Sequence, residues 1–219
     1  SNEEATTNSN MYLDKYFGND SYRAIRQYYT LTDHVTTTLL DALYYDPALT
    51  MEDVQNAPLS AYTRGLETVS VRQSYTNPEG MYFITTGGLN NHYHSHYDTG
   101  MFLFELDGVQ WAVDLGSEDY NIDLNEQLIY RKRSEAHNVL TMNIQSGKES
   151  MTNEGFAEVE RFESNRASNI TVLNMDGIYN ETDTYRRGFF IGDQMRSLTV
   201  RDECTLNTDS TVYWFMNTK

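Results

Sequence analysis

Three of the chain's five histidines fall within one run of five residues, His92-Tyr93-His94-Ser95-His96, and Tyr97 and Asp98 follow directly. If the run is extended, every second side chain points to one face. His92, His94, His96 and Asp98 then form a column of imidazoles ending in a carboxylate, a set that can bind metal or move protons. Imidazole and carboxylate suit zinc, which takes four ligands in structural sites and leaves one position to water in catalytic ones. Asp114, and His137 in the segment Arg133-Ser134-Glu135-Ala136-His137-Asn138, are further candidates. Spacing alone does not choose among them.

The elements around these residues set what can meet. Asp107-Gly108 separates two strong strand patterns and predicts a type I′ hairpin turn, in which both central residues need positive φ. Straight pairing from that turn places Asp114 opposite Met101, about five residues and roughly 16 Å from His96. For Asp114 and His96 to meet, the chain must bend or bulge near Thr99-Gly100, where Gly100 is the permissive residue.

From Ser21 to Tyr45 the apolar residues Ile25, Tyr28, Tyr29, Val35, Leu39, Leu40 and Leu43 recur at spacings of three and four. That spacing predicts one broken helix or two short ones, with Asp33 as a cap for the second and Asp46-Pro47 as its end. Past about residue 66 the pattern becomes β. Strands are expected at Thr68 to Ser74, Met81 to Thr86, Phe102 to Leu106, Val109 to Val113, Val139 to Met142, Phe156 to Phe162, Ile170 to Met175, Tyr185 to Ile191, Ser197 to Asp202 and Thr211 to Met216. About ten strands without intervening helices mean a mainly β fold, an antiparallel sandwich or a barrel. The expected division is a tail over 1–20, a helical segment and linker over 21–65, and a β-domain over 66–219.

Composition narrows the chemistry. The formal net charge is −16, which excludes nucleic acid and anionic membrane as partners because both require positive potential. Arg131, Lys132 and Arg133, and the pair Arg186 and Arg187, are the places where an acidic ligand could still be met. No run approaches the roughly 20 apolar residues of a membrane span. A single cysteine, Cys204, rules out an internal disulfide and reads as a small buried thiol without chemical work.

One partial motif points to a cupin, since Gly88, His94-Ser95-His96 and Gly108 imitate the first metal motif of that family. Gly100 and Met101 stand where its glutamate ligand belongs, so a cupin-like metalloenzyme is the weaker reading. A longer ordered match exists: Gly87-Gly88, His94-x-His96-x-Asp98, Gly100-Met101-Phe102, Gly108, Asp114-x-Gly116, Tyr120-Asn121 and Arg133-Ser134-x-Ala136-His137-Asn138. This order resembles the C-terminal β-domain of heparinase II/III-like polysaccharide lyases. Tyr44-Tyr45-Asp46-Pro47 and Ala57-Pro58-Leu59-Ser60 resemble the passage from that family's helical α/α-toroid into its sandwich.

The resemblance implies an antiparallel β-sandwich preceded by the end of an α/α-toroid. It implies cleavage of a uronic-acid-containing polysaccharide, heparan-like or alginate-like, by β-elimination. His94 would face the substrate, His96, Asp114 and His137 would hold a structural zinc, and Tyr120 and Tyr130 would be substrate-facing tyrosines. Asp98 becomes a supporting group, and His92 receives no role. The toroid would complete the active site, so the chain alone is expected to be inactive, and the apolar face of the helical segment would meet that missing toroid or self-associate. The resemblance also implies a periplasmic or secreted parent protein. The alternative is a non-catalytic, metal-stabilised sandwich used for carbohydrate binding or domain docking.

Overall fold

The computed structural model describes residues 18, 20–32, 38–90, 95–117, 129–145 and 149–219. They form two compact units, one reaching to Leu59 and including Ser74–Thr76, the other comprising Ser60–Gln73 and Asn77–Lys219.

The first unit holds helices α1 (Asp20–Leu31), α2 (Leu39–Leu43) and α3 (Met51–Gln55). Ala24, Ile25, Val54 and Ala57 form its core, with Tyr28, Tyr29, Leu49 and Tyr75 packed on it. The helical spacing seen in the sequence accounts for α1, and polar contacts from α1 fasten α2 and the Asp46 turn. The Arg26 guanidinium donates to both oxygens of Asp41 at 2.9 and 3.0 Å, and Gln27 exchanges two hydrogen bonds with the Asp46 backbone. Thr38 and Asp41 cap α2 reciprocally, the S/T-x-x-acid pattern of a helix start. The expected Asp33 cap lies outside the described residues. Leu31, Leu39 and Leu43 keep their side chains in solvent.

The second unit is a β-sandwich. One antiparallel sheet runs β1 (Ser60–Thr63), β2 (Thr68–Arg72), β3 (Tyr82–Thr86), β5 (Phe102–Leu106), β6 (Val109–Ala112). The other runs β11 (Ser197–Leu206), β10 (Thr182–Gly192), β9 (Asn169–Asn174), β8 (Phe156–Ser164), β4 (Gly88–Leu89). A short ribbon pairs β12 (Val212–Trp214) with β7 (Leu140–Met142). Val69, Val71 and Phe83 of the first sheet and Ala157, Val159, Leu173, Tyr185, Phe189 and Ile191 of the second are buried in one core. Every expected strand is present. β1 and β4 are additional, being too short to leave a period in the sequence.

The predicted hairpin turn forms, with φ of 53° at Asp107 and 71° at Gly108. Ser95 to Asp98, the described part of the histidine run, do not form the expected strand. Asn91 to His94 lie outside the described residues, and residues 95–101 join no ladder. The reason is topological: β4 belongs to the second sheet and β5 to the first, so the intervening chain must cross between them. Its hydrogen bonds go to a 3-10 turn and to the end of β3. The Tyr97 amide donates to Lys132 O and the Gly100 amide to Thr86 O. The Ser95 hydroxyl bonds Asn90 O at 2.5 Å. The column on one strand face is therefore replaced, for His96 and Asp98, by positions on a turning loop. The bend comes at Gly100, with φ of 84°, where it was expected.

Cys204 also departs from expectation. It is exposed on β11, near the free end of an edge strand. Partial burial and the neighbouring Asp202 raise its thiol pKa, which leaves it protonated and without chemical work.

Candidate histidine and carboxylate centre

Three segments distant in sequence converge beside the sandwich. The loop from Ser95 to Met101 brings His96 and Asp98, the end of β6 brings Asp114, and a pair of 3-10 turns, Tyr130–Lys132 and Ser134–Ala136, delivers His137. His137 Nδ1 lies 2.8 Å from Asp114 Oδ2, and the His96 and His137 rings stand 5.2 Å apart, centre to centre. The bend at Gly100 has thus done what the straight hairpin could not.

Side chains outside the cluster fix these segments. Asn138 donates to Phe102 O at 2.7 Å and to Val113 O at 3.0 Å, tying the residue after His137 to both strands of the β5–β6 hairpin. Asn217 closes the same arrangement: its amide N–H donates to Asn138 Oδ1, its side chain donates to Ala136 O, and its carbonyl accepts from Val113 N. Asn90 receives the hydroxyl and amide of Thr99 on Oδ1 and donates to Thr152 O, which anchors the loop carrying His96. Glu149 accepts from the Ser134 amide and hydroxyl. None of these groups carries a periodic signal. Asn138 stood in the ordered motif but without a role, and Asn90 and Asn217 had no marker at all.

The electrostatics follow from that packing. Burial and the proximity of His137 lower the pKa of His96, with Lys132 acting in the same direction, so His96 is neutral and able to ligate or accept a proton at neutral pH. The hydrogen bond from His137 holds the Asp114 carboxyl below the usual aspartate value, aided by the Gly116 amide. Burial raises Asp98. Two carboxylates in one neighbourhood are thus pushed in opposite directions by their surroundings.

His137 is 1% exposed, and its Nε2 is buried without a hydrogen-bond partner among the described residues. A buried polar atom normally has one. With Nδ1 on a carboxylate and Nε2 open, the ring has the orientation of the carboxylate–histidine–metal arrangement, in which Asp114 stands behind the ring and the imidazoles of His96 and His137 are the nitrogen donors suited to zinc. Among the described residues, no three His, Cys, Asp or Glu side chains lie in metal-holding geometry. The donors fit the ion chemically, while their present spacing is that of hydrogen-bonded neighbours.

The remaining candidates are distributed as follows. His94, His92 and Tyr120 lie outside the described residues. Tyr130 is exposed, and its hydroxyl donates to Glu135 O at 3.3 Å, away from the hydrogen bonds of the cluster. Arg131 donates to Leu115 O and Arg133 pairs with Glu135 at 2.6 Å, so both shape the loops next to the centre. Arg187 corrects the sequence reading: it is completely buried and cannot meet an external acidic ligand. The alternation Tyr185, Arg187, Phe189, Ile191 on β10 already put it in the inward row. Arg186, on the other face, is committed to Asn174, Asp176 and Glu160.

Comparison with known proteins gives one family and one fold. The heparinase II/III-like C-terminal domain matches residues 69–218. Among solved structures, a heparinase III gene product aligns over 82% of this chain and 26% of its own, at 18% identity and a TM-score of 0.64. Its form with methylated lysines aligns over 99% and 30%, at 17% and 0.67. A mutant of the heparan sulfate lyase HepC from Pedobacter heparinus aligns over 88% and 29%, at 13% and 0.62. This chain therefore spans less than a third of each of those proteins. No curated protein matches it significantly.

Proposed function

Since the chain belongs to the heparinase II/III-like family through its C-terminal β-domain, we propose that it is the sandwich portion of a polysaccharide lyase. The substrate is a uronic-acid-containing polysaccharide, with heparan sulfate the first polymer to try and alginate the comparison. The observation that carries this reading is the convergence of His96, Asp114 and His137 from three segments. A metal-stabilised sandwich without activity is the competing reading.

In β-elimination a base removes the C5 proton of the uronate, the electron pair forms the C4–C5 double bond, and the C4–O bond breaks with protonation of the leaving oxygen. The C5 proton is weakly acidic while the neighbouring carboxylate is charged, so that charge must be neutralised first. His94 takes that position or acts as the base. Lys132, close enough to act on His96, is a cation that can meet the substrate carboxylate. Tyr120 and Tyr130 would be the substrate-facing tyrosines of this reading, and the proton donor to the leaving oxygen would come from a helical domain. His96 and His137 would hold zinc, His137 through Nε2, while Asp114 would orient the His137 ring from Nδ1. Zinc would supply a cross-link between the loops that carry the two histidines.

The test uses the full-length protein with heparan sulfate and alginate, reading ultraviolet absorbance of the unsaturated uronate, together with elemental analysis of protein purified without chelator. Absorbance gain and one zinc per chain are expected. Bound zinc with no elimination on either polymer would favour the non-catalytic sandwich, and absence of zinc would remove the metal part.

A further inference from the structure

We propose that Arg187, in the core of the sandwich, is a positioning residue that sets the distance between the loops carrying His96 and His137. It rests on reading His96, Asp114 and His137 as one working centre.

Arg187 is 0% exposed and shares the inward row of β10 with Tyr185, Phe189 and Ile191. Its Nη1 donates to Gly100 O at 3.0 Å and to Asn138 O at 3.1 Å. Gly100 lies two residues beyond Asp98, and Asn138 directly follows His137. One planar nitrogen therefore holds two loops that no strand ladder connects. On its other side Arg187 Nε stands 3.1 Å from Asp202 Oδ1. Asp202 in turn accepts from the Tyr185 hydroxyl and the Trp214 indole, which fixes the guanidinium from behind. The rings of Phe102 and Phe189 lie 5.8 Å from its centre.

Stability does not account for this choice of residue. Taking an ion pair out of water costs about what the pair recovers, and apolar residues of similar volume often serve the fold equally well or better. The neighbouring inward positions on β10 are apolar or aromatic. A leucine or methionine in that row would fill the space but leave the Gly100 and Asn138 carbonyls without their common donor. The guanidinium adds geometry: a rigid fork with donors in fixed directions, placed between two irregular segments that must hold two imidazoles 5.2 Å apart.

The experiment has a wild-type arm and a variant arm. In wild-type protein, nitrogen-detected NMR should show separate, slowly exchanging Nη1 protons for Arg187 with contacts to Gly100 and Asn138. Averaged, fast-exchanging signals would overturn the proposal, whether or not any variant folds. Arg187→Lys and Arg187→Met are then checked for native circular dichroism. In folded Arg187→Met the contact between the His96 and His137 ring protons should disappear and zinc affinity should fall about tenfold, the scale on which groups supporting metal ligands act. Arg187→Lys should recover part of both. A folded Arg187→Met with the wild-type ring contact and zinc affinity would show a merely structural ion pair. If wild-type protein takes up no zinc, the metal reading fails, while the ring contact and guanidinium signals still decide the role of Arg187.

Discussion

Replacing Gly100 by alanine should be among the more costly single-methyl changes in this β-domain. Gly100 has φ of +84°, and an added Cβ would stand 2.6 Å from Met175 Cε, 3.2 Å from Met175 Sδ and 3.6 Å from Arg187 Cδ. Left-handed backbone costs an L-residue about 1–2 kcal/mol. The close atoms belong to the far end of the flexible Met175 side chain, itself buried, so displacing it adds about 1 kcal/mol, the low end of overpacking costs. The expected total is about 2–3 kcal/mol, a sizeable part of a typical domain's stability. Gly108→Ala is the control, because Gly108 has φ of +71° but its nearest neighbour, Glu79 Cγ, is 3.6 Å away, leaving only the backbone cost. Urea unfolding followed by tryptophan fluorescence reports this domain alone, since Trp111 and Trp214 are the two tryptophans and both lie in it. Met175→Ala should cost less in the Gly100→Ala background than in wild type. The reasoning is refuted if Gly100→Ala and Gly108→Ala agree within about 0.5 kcal/mol, the usual size of a neutral change.

Other outcomes rest on the same geometry. Glu67 is buried; burial alone would raise its carboxyl, but hydrogen bonds from the Tyr62 hydroxyl and the Val159 and Gly65 amides hold it below the usual glutamate value. Its contribution is therefore full above the ordinary glutamate range and disappears as pH falls through the lower folded value. Glu67→Gln should cost about 1–3 kcal/mol at neutral pH, by setting an amide against a buried N–H, and progressively less in acid; an equal cost at both ends would contradict this. For Asp98 the sign is opposite: its raised carboxyl contributes stability in acid that is lost as pH rises through the folded value. In metal-free protein Asp98→Asn should raise the melting temperature at neutral pH and leave it unchanged near about pH 3, and a drop at neutral pH would refute the assignment. In the full-length protein His94→Ala should remove most elimination while keeping zinc content and melting temperature, and His96→Ala should lose both of the latter. If His94→Ala loses metal and His96→Ala keeps it, the two roles are exchanged.

Local pattern was enough for much of this molecule. Alternation of apolar residues located the strands, because side chains on a half-buried strand must alternate between core and solvent. Asp107-Gly108 specified its hairpin, because a turn with two positive φ angles admits few residue pairs. Residue type offered His92, His94, His96, Asp98, Asp114 and His137, the family resemblance chose His96, Asp114 and His137 among them, and the geometric conflict between His96 and Asp114 pointed to a bend at Gly100. No local pattern could decide which sheet each strand joins. β4 and β5 fall in different sheets, and that crossing puts His96 and Asp98 on a loop in place of the expected strand. The supports of the centre were equally hidden. Asn90, Asn138, Asn217 and Arg187 act through single hydrogen bonds to residues up to 87 positions away. Such bonds have no period, and their partners become neighbours only when the two sheets close over a common core.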